Sequence, residues 1–104
     1  MDTTTKSRKA RYLAKKIATF MVADEAFNSS PIRWIRSEAD FTEADKARIN
    51  ELKDKIIDVF NANDGMEWQG VLNGLRELCP VFLFGFKAQD MTIHFLTNYG
   101  YSFK

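Results

Sequence analysis

The chain has 104 residues, of which 45% are apolar and 28% charged, with a formal net charge of +1. This describes one ordinary soluble domain with a single modest core, and it excludes a second domain or a strongly polyanionic or polycationic chain. The charge is unevenly placed. Residues 2–16 carry six bases against Asp2, a balance of +5, while residues 17–104 carry nine bases and thirteen acids, a balance of −4. Such a distribution reads as a basic arm on a mildly acidic body.

Cys79 is the single cysteine, so an intrachain disulfide is impossible and a reducing compartment, the cytoplasm, is expected. Lys15 and Lys16 precede only the short apolar stretch 17–23, which does not make a signal-peptide core. No run approaches the ~20 apolar residues of a membrane helix, so no membrane partner is expected.

In chain order, residues 1–6 are expected to fray. From about Ser7 to Ala23 the pattern is helical. Leu13, Ala14, Ile17, Phe20 and Met21 fall on one face, and Arg8, Arg11, Tyr12, Lys15 and Lys16 on the opposite arc at about 100° per residue. A solvated helix face usually mixes acids with bases; this arc is basic only. Its five residues are therefore candidate contacts to a phosphate-bearing or acidic partner, against the plain alternative of a solvated face.

Residues 27–31 read as a loop with a restart, Ser30 capping and Pro31 opening the next turn. Over 31–38, helical spacing pairs Ile32 with Ile35 and Ala39, and strand spacing pairs Ile32 with Trp34; a short helix is favoured. Trp34, between Arg33 and Arg36, is a candidate hot spot for a partner or else a core residue. Thr42 then caps the strongest helix, with Glu43 and Asp45 in its first turn and Ile49, Leu52, Ile56, Val59 and Phe60 as its apolar stripe. Asp64 with Glu67 in capping-box position opens another helix over about 66–78, its buried stripe being Trp68, Val71, Leu72, Leu75 and Leu78. Gly70 and Gly74 form a bald edge for close packing, and Pro80 closes the helix.

The tail decides the expected fold class. Residues 81–86 are an apolar run, 87–90 are polar and turn-like, and from Met91 to Phe103 the residues Met91, Ile93, Phe95, Thr97, Tyr99, Tyr101 and Phe103 alternate with a mostly polar set. Strict alternation gives a strand one oily and one polar face. The expectation is a single α+β domain over 1–104. It has three to four helices packed on one face of a small antiparallel C-terminal β-hairpin, or three-stranded sheet, built from 80–104. Trp34, Phe41, Tyr99, Tyr101 and Phe103 are more large apolar groups than such a core hides, so Trp34, Tyr99 and Tyr101 are candidate aromatic contacts for a partner.

No constellation points to a reaction, and no catalytic residue, metal or cofactor is assigned. Residues 61–65 have calcium-loop composition, but the spacing puts Phe60 where an aspartate is required. Cys79 and His94 are the single thiol and imidazole, and Cys79 lies at a helix C-terminus, where the dipole disfavours thiolate. Glu38, Asp40, Glu43 and Asp45 cluster without an apolar pocket to raise a pKa. Gly70 and Gly74 match no phosphate loop, no small-molecule substrate is evident, and 82–86 does not follow the RRM signature. The function expected is a non-enzymatic interaction or regulatory protein docking on a macromolecular partner, another protein or a second copy of itself. The alternative is nucleic-acid binding through the basic N-terminal helix.

Overall fold

The computed structural model describes residues 3–29, 35, 37–82 and 85–104. Among them are four α-helices, α1 (Thr3–Ser29), α2 (Glu43–Ala62), α3 (Trp68–Leu78) and α4 (Phe86–Asn98), one 3-10 turn over Glu38–Asp40, and no strand. The expected α+β fold with a C-terminal hairpin is therefore wrong. The domain is all-helical in its described part.

α2 forms where its pattern says it should. Thr42 accepts a hydrogen bond from the Asp45 amide at 3.1 Å, and Asp45 accepts one from the Thr42 amide at 2.9 Å, closing a reciprocal capping box. Ile49, Leu52, Ile56 and Phe60 are buried at three- and four-residue steps. They meet a face of α1 that is unusually small: Ala10, Ala14 and Ala18 are fully buried beside Ile17, Met21 and Val22. Large residues of one helix seat on the alanines of the other, so the two backbones approach closely and pack at interior density.

This alanine seam overturns the expected orientation of α1. Taking the large residues as the face's centre puts Phe20 inside, yet the alanines set the centre and Phe20 turns out, 60% exposed. The helix is also longer than expected. Thr3 to Lys6 are helical rather than frayed, and Phe27 to Ser29 extend the helix instead of looping. At 27 residues it runs about 40 Å, close to the 42 Å long dimension of the molecule.

α3 begins at Trp68, later than expected, with Glu67 at the N-cap position and no side-chain cap. Asp64 does not cap it and is used elsewhere, as the acceptor of the Ser102 amide at 3.0 Å. Trp68, expected in the buried stripe, is the first residue of the helix and is 41% exposed. Val71, Leu72 and Leu75 do face the core. A Cβ at Gly74 would lie 2.7 Å from Val59 Cγ1 of α2, so this side of α3 is bare because a neighbouring side chain occupies the space. Of the element expected over 31–38, residues 31–34 and 36 lie outside the described residues; Ile35 is half-buried without regular structure.

α4 occupies the stretch expected to be strand. Its buried residues are Gln89, Thr92 and Leu96, with Ile93 half-buried, which is a helical stripe at steps of three and four. Two of the four are polar, so the stripe is faint in hydropathy, while the accidental alternation of Met91, Ile93, Phe95, Thr97 and Tyr99 is loud. Thr92 tolerates burial because its hydroxyl donates to the Ala88 carbonyl one turn back, at 2.8 Å. Met91, placed on the oily strand face by sequence, is well exposed.

The last residues are ordered, but as a strap and not as strand. Gly65 donates its amide to the Ser102 carbonyl at 2.6 Å and Lys104 donates to the Met66 carbonyl at 2.9 Å. Gly65 adopts a φ of 85° at this turn, where glycine is favoured. Tyr101 of the strap is buried against α2, its ring edge-on to Phe60 at 6.3 Å.

Candidate interaction surface

The outer face of α1 collects the expected basic residues. Arg8, Arg11, Tyr12, Lys15 and Lys16 are all exposed. Arg8, Arg11 and Lys15 follow at steps of three and four, so they form one row along the helix. Beside it runs a second row that sequence did not assemble: Tyr12, Lys16, Phe20 and Phe27, with Tyr12 57% and Phe27 49% exposed. The Lys16 ammonium lies 5.4 Å from the centre of the Tyr12 ring, and the Lys9 ammonium lies 5.3 Å from the Tyr99 ring at the end of α4, both within cation–π range.

Among the described residues, the cations of this row make no ion pair, unlike three cations of α2. On α2, Lys46 pairs with Glu43 at 3.2 Å, Lys55 with Glu51 at 3.0 Å, and Arg48 with both Glu51 at 3.3 Å and Glu25 at 3.5 Å. The Glu51 carboxyl is held below its usual range by the hydrogen bond from Lys55 and then by the charges of Lys55 and Arg48. Among the described residues, Arg8, Arg11, Lys15 and Lys16 form no such ion pair. Their charge is uncompensated at the surface.

Near this row, Lys15 reaches the edge of an open groove of about 250 Å³ between α1 and the start of α2. Phe41 and Ile49 supply its apolar walls, and Lys15, Lys46, Asn50 and Glu38 its polar rim. No sequence motif marks it, because its lining joins Lys15 and Thr19 of α1 to residues 38–50, which only folding brings together.

The aromatic candidates fare differently. Trp34 lies outside the described residues. Tyr99 is half-buried against Phe95, with ring centres 4.8 Å apart. Tyr101 is only 4% exposed and donates its hydroxyl to Asn61 Oδ1 at 2.8 Å, so it presents nothing to a partner. Phe41 and Phe103 also pack on the core. The apolar surplus exists, but it is carried by Tyr12, Phe20 and Phe27 on α1, by Phe86 and Met91 on α4, and by Met66, Trp68 and Val81 around α3.

Cys79 and His94 do not come together as a nucleophile and base. Cys79 is buried at the end of α3 with its Sγ 3.8 Å from both the Met21 carbonyl and a Glu25 carboxylate oxygen, whereas His94 is exposed and hydrogen-bonded to Asn98 at 3.1 Å. Burial, and then the Glu25 charge, push the Cys79 thiol up, away from thiolate. Iodoacetamide at pH 8 should therefore alkylate the folded protein at least ~10-fold more slowly than the urea-unfolded chain. Equal rates would show the thiol to be open. Among the described residues, no group of three or more His, Cys, Asp and Glu side chains is placed to hold a metal ion. Of the acids clustered near the start of α2, Asp45 caps, Glu43 pairs with Lys46, and Asp40 accepts from the Ser37 amide at 3.1 Å. No described helix is long and apolar enough to cross a membrane.

Comparison with protein-family models, with curated proteins and with solved structures finds no match to this chain.

Proposed function

We propose that this protein is a non-enzymatic docking module that binds another protein through the outer face of α1. The observation that carries the reading is the pairing of exposed rings with uncompensated cations on one helix face: Tyr12, Phe20 and Phe27 beside Arg8, Arg11, Lys15 and Lys16. Exposed aromatic surface is unfavourable in water, and tyrosine and arginine are the residues that most often anchor interfaces. The single buried thiol suits a reducing compartment, and the cytoplasm is the proposed location.

The variant Arg8→Glu, Arg11→Glu, Lys15→Glu tests the reading against a partner isolated from the native host. The three cations are exposed and hold no ion pair to lose, so the variant should keep its melting temperature. Its affinity for the partner should fall ~100-fold or more, as expected when an interface meets like charge. Full retention of binding would return these residues to a solvated face.

The same uncompensated row of cations favours a second reading, nucleic-acid binding. Phosphate contacts release counterions, so that affinity must fall steeply with salt. A protein partner anchored by Tyr12 and Phe20 would lose far less over the same range. Self-association would be seen by sedimentation as a concentration-dependent mass.

A further inference from the structure

Resting on that reading, we propose that the groove between α1 and α2 is the anchor site for an acidic helical segment of the partner, which inserts one large apolar side chain there and lays its carboxylates along the arginine–lysine row. Arg8, Arg11 and Lys15 stand on one side of α1 over about 10 Å of helix, and Lys15 also lines the groove. The row therefore leads into the cavity. A partner helix running parallel to α1 with acids at i, i+3 and i+7 repeats that spacing and meets all three cations.

The cavity sets the anchor. Its volume, about 250 Å³, lies below the roughly 300–1,000 Å³ of sites for cofactors and drug-sized molecules. Its walls are the half-buried Phe41 ring and Ile49, which is almost fully buried from the other side. One phenylalanine or leucine side chain fills such a space and removes both walls from water. The rim sets the charge. Lys15 and Lys46 come from different helices, and Lys46 is held by Glu43 only through an exposed pair at 3.2 Å, which exchanges for another carboxylate at little expense.

Glu38 on the same rim separates an acidic peptide from a nucleic acid. A strand with a phosphate at every step would set one beside Glu38 and Glu43 as well as beside the lysines. A helix whose acids are confined to one row, with a neutral anchor beyond them, avoids both.

The probe is a fluorescein-labelled helical peptide of about 16 residues with glutamates at i, i+3 and i+7 and a phenylalanine one turn further along that face. It is compared with the same peptide carrying alanine at the anchor and with oligo-dT of about 15 nucleotides. By fluorescence anisotropy the phenylalanine peptide should bind ~10-fold or more tightly than the alanine peptide. Its binding should shift the amide resonances of Phe41 and Ile49. Lys15→Glu with Lys46→Glu should weaken it by ~10-fold or more. Asn50→Trp, which fills the groove from the exposed rim, should erase the advantage of phenylalanine at unchanged melting temperature.

Equal binding of the two peptides, binding of neither, or tighter binding of oligo-dT would each overturn the assignment. So would self-association abolished by Asn50→Trp, which would make a second copy the occupant. If the peptides fail while the α1 charge reversal still releases the native partner, the groove assignment falls and the docking reading stands. If the charge reversal leaves the native partner bound, both fall.

Discussion

Replacing Phe60 by alanine is expected to lower the free energy of unfolding by about 3–5 kcal/mol, the range for removing a fully buried aromatic ring. Phe60 is 0% exposed and belongs to the core that joins α1, α2, α3 and the strap. Its ring lies edge-on to that of Tyr101, at 72° between planes. The loss therefore has three parts: the transfer of the ring, the void it leaves, and the contact with Tyr101, which such ring pairs make worth about 0.5–1.5 kcal/mol by themselves. Helices packed on two sides limit how far the void can collapse. A domain of this size has roughly 5–15 kcal/mol in all, so urea unfolding should show a large fall in midpoint at an unchanged slope. A change below about 1 kcal/mol would mean that the end of α2 does not form the centre of the fold.

That core was legible in the sequence where large apolar residues carried the helical period alone. α2 is the case in point: Thr42 and Asp45 mark its start, and Ile49, Leu52, Ile56 and Phe60 mark its face. On α1 the period was read correctly and the face was not, because Ala10, Ala14 and Ala18 weigh little in hydropathy yet decide how near α2 can come. Hydropathy alone therefore hides half the candidate surface, since it turns Phe20 inward while the fold leaves it exposed. α4 was lost to a coincidence. Its inward stripe includes Gln89 and Thr92, so a 3.6-residue pattern was diluted by polar groups whose burial hydrogen bonding makes tolerable. The β-branched and aromatic residues at alternate positions from 93 to 99 imitate a strand. Charge was the most readable layer: the one-sided arc of Arg8, Arg11, Lys15 and Lys16 is exposed as its spacing required. The groove was not readable, because it exists only where Lys15 and Lys46 are brought together by folding.

Deleting residues 99–104 should destabilise the whole domain, by at least about 3 kcal/mol, although chain ends are ordinarily dispensable. The strap is held on both its backbone and its side chains. Tyr101 donates its amide to the Leu96 carbonyl at 3.0 Å, and Ser102 donates to Asp64 Oδ1 at 3.0 Å. The Tyr101 ring closes the core over Phe60 and stacks on Phe103, with ring planes 2° apart at 6.2 Å. Removal opens Phe60 to water and deprives Asn61 and Asp64 of donors, so the damage spreads into α2 and into the turn before α3. At about 4–8 °C per kcal/mol for a domain near this size, the melting temperature should fall by more than ~12 °C. Tyr101→Phe separates the ring from the hydroxyl: it keeps the packing, loses the 2.8 Å bond to Asn61, and should cost only about 1 kcal/mol. The hydroxyl also makes the strap sensitive to alkali. Burial, and then the charge of Asp64, raise the Tyr101 pKa above its model-peptide value of 10.0. The folded protein thus favours the neutral phenol, and this contribution is complete below pH ~10 and is lost as pH rises through the raised pKa. Wild type should therefore lose stability above pH ~10 more steeply than Tyr101→Phe. A truncated chain that melts where the full chain melts, or parallel alkaline profiles for wild type and Tyr101→Phe, would show that the strap lies on the core without supporting it.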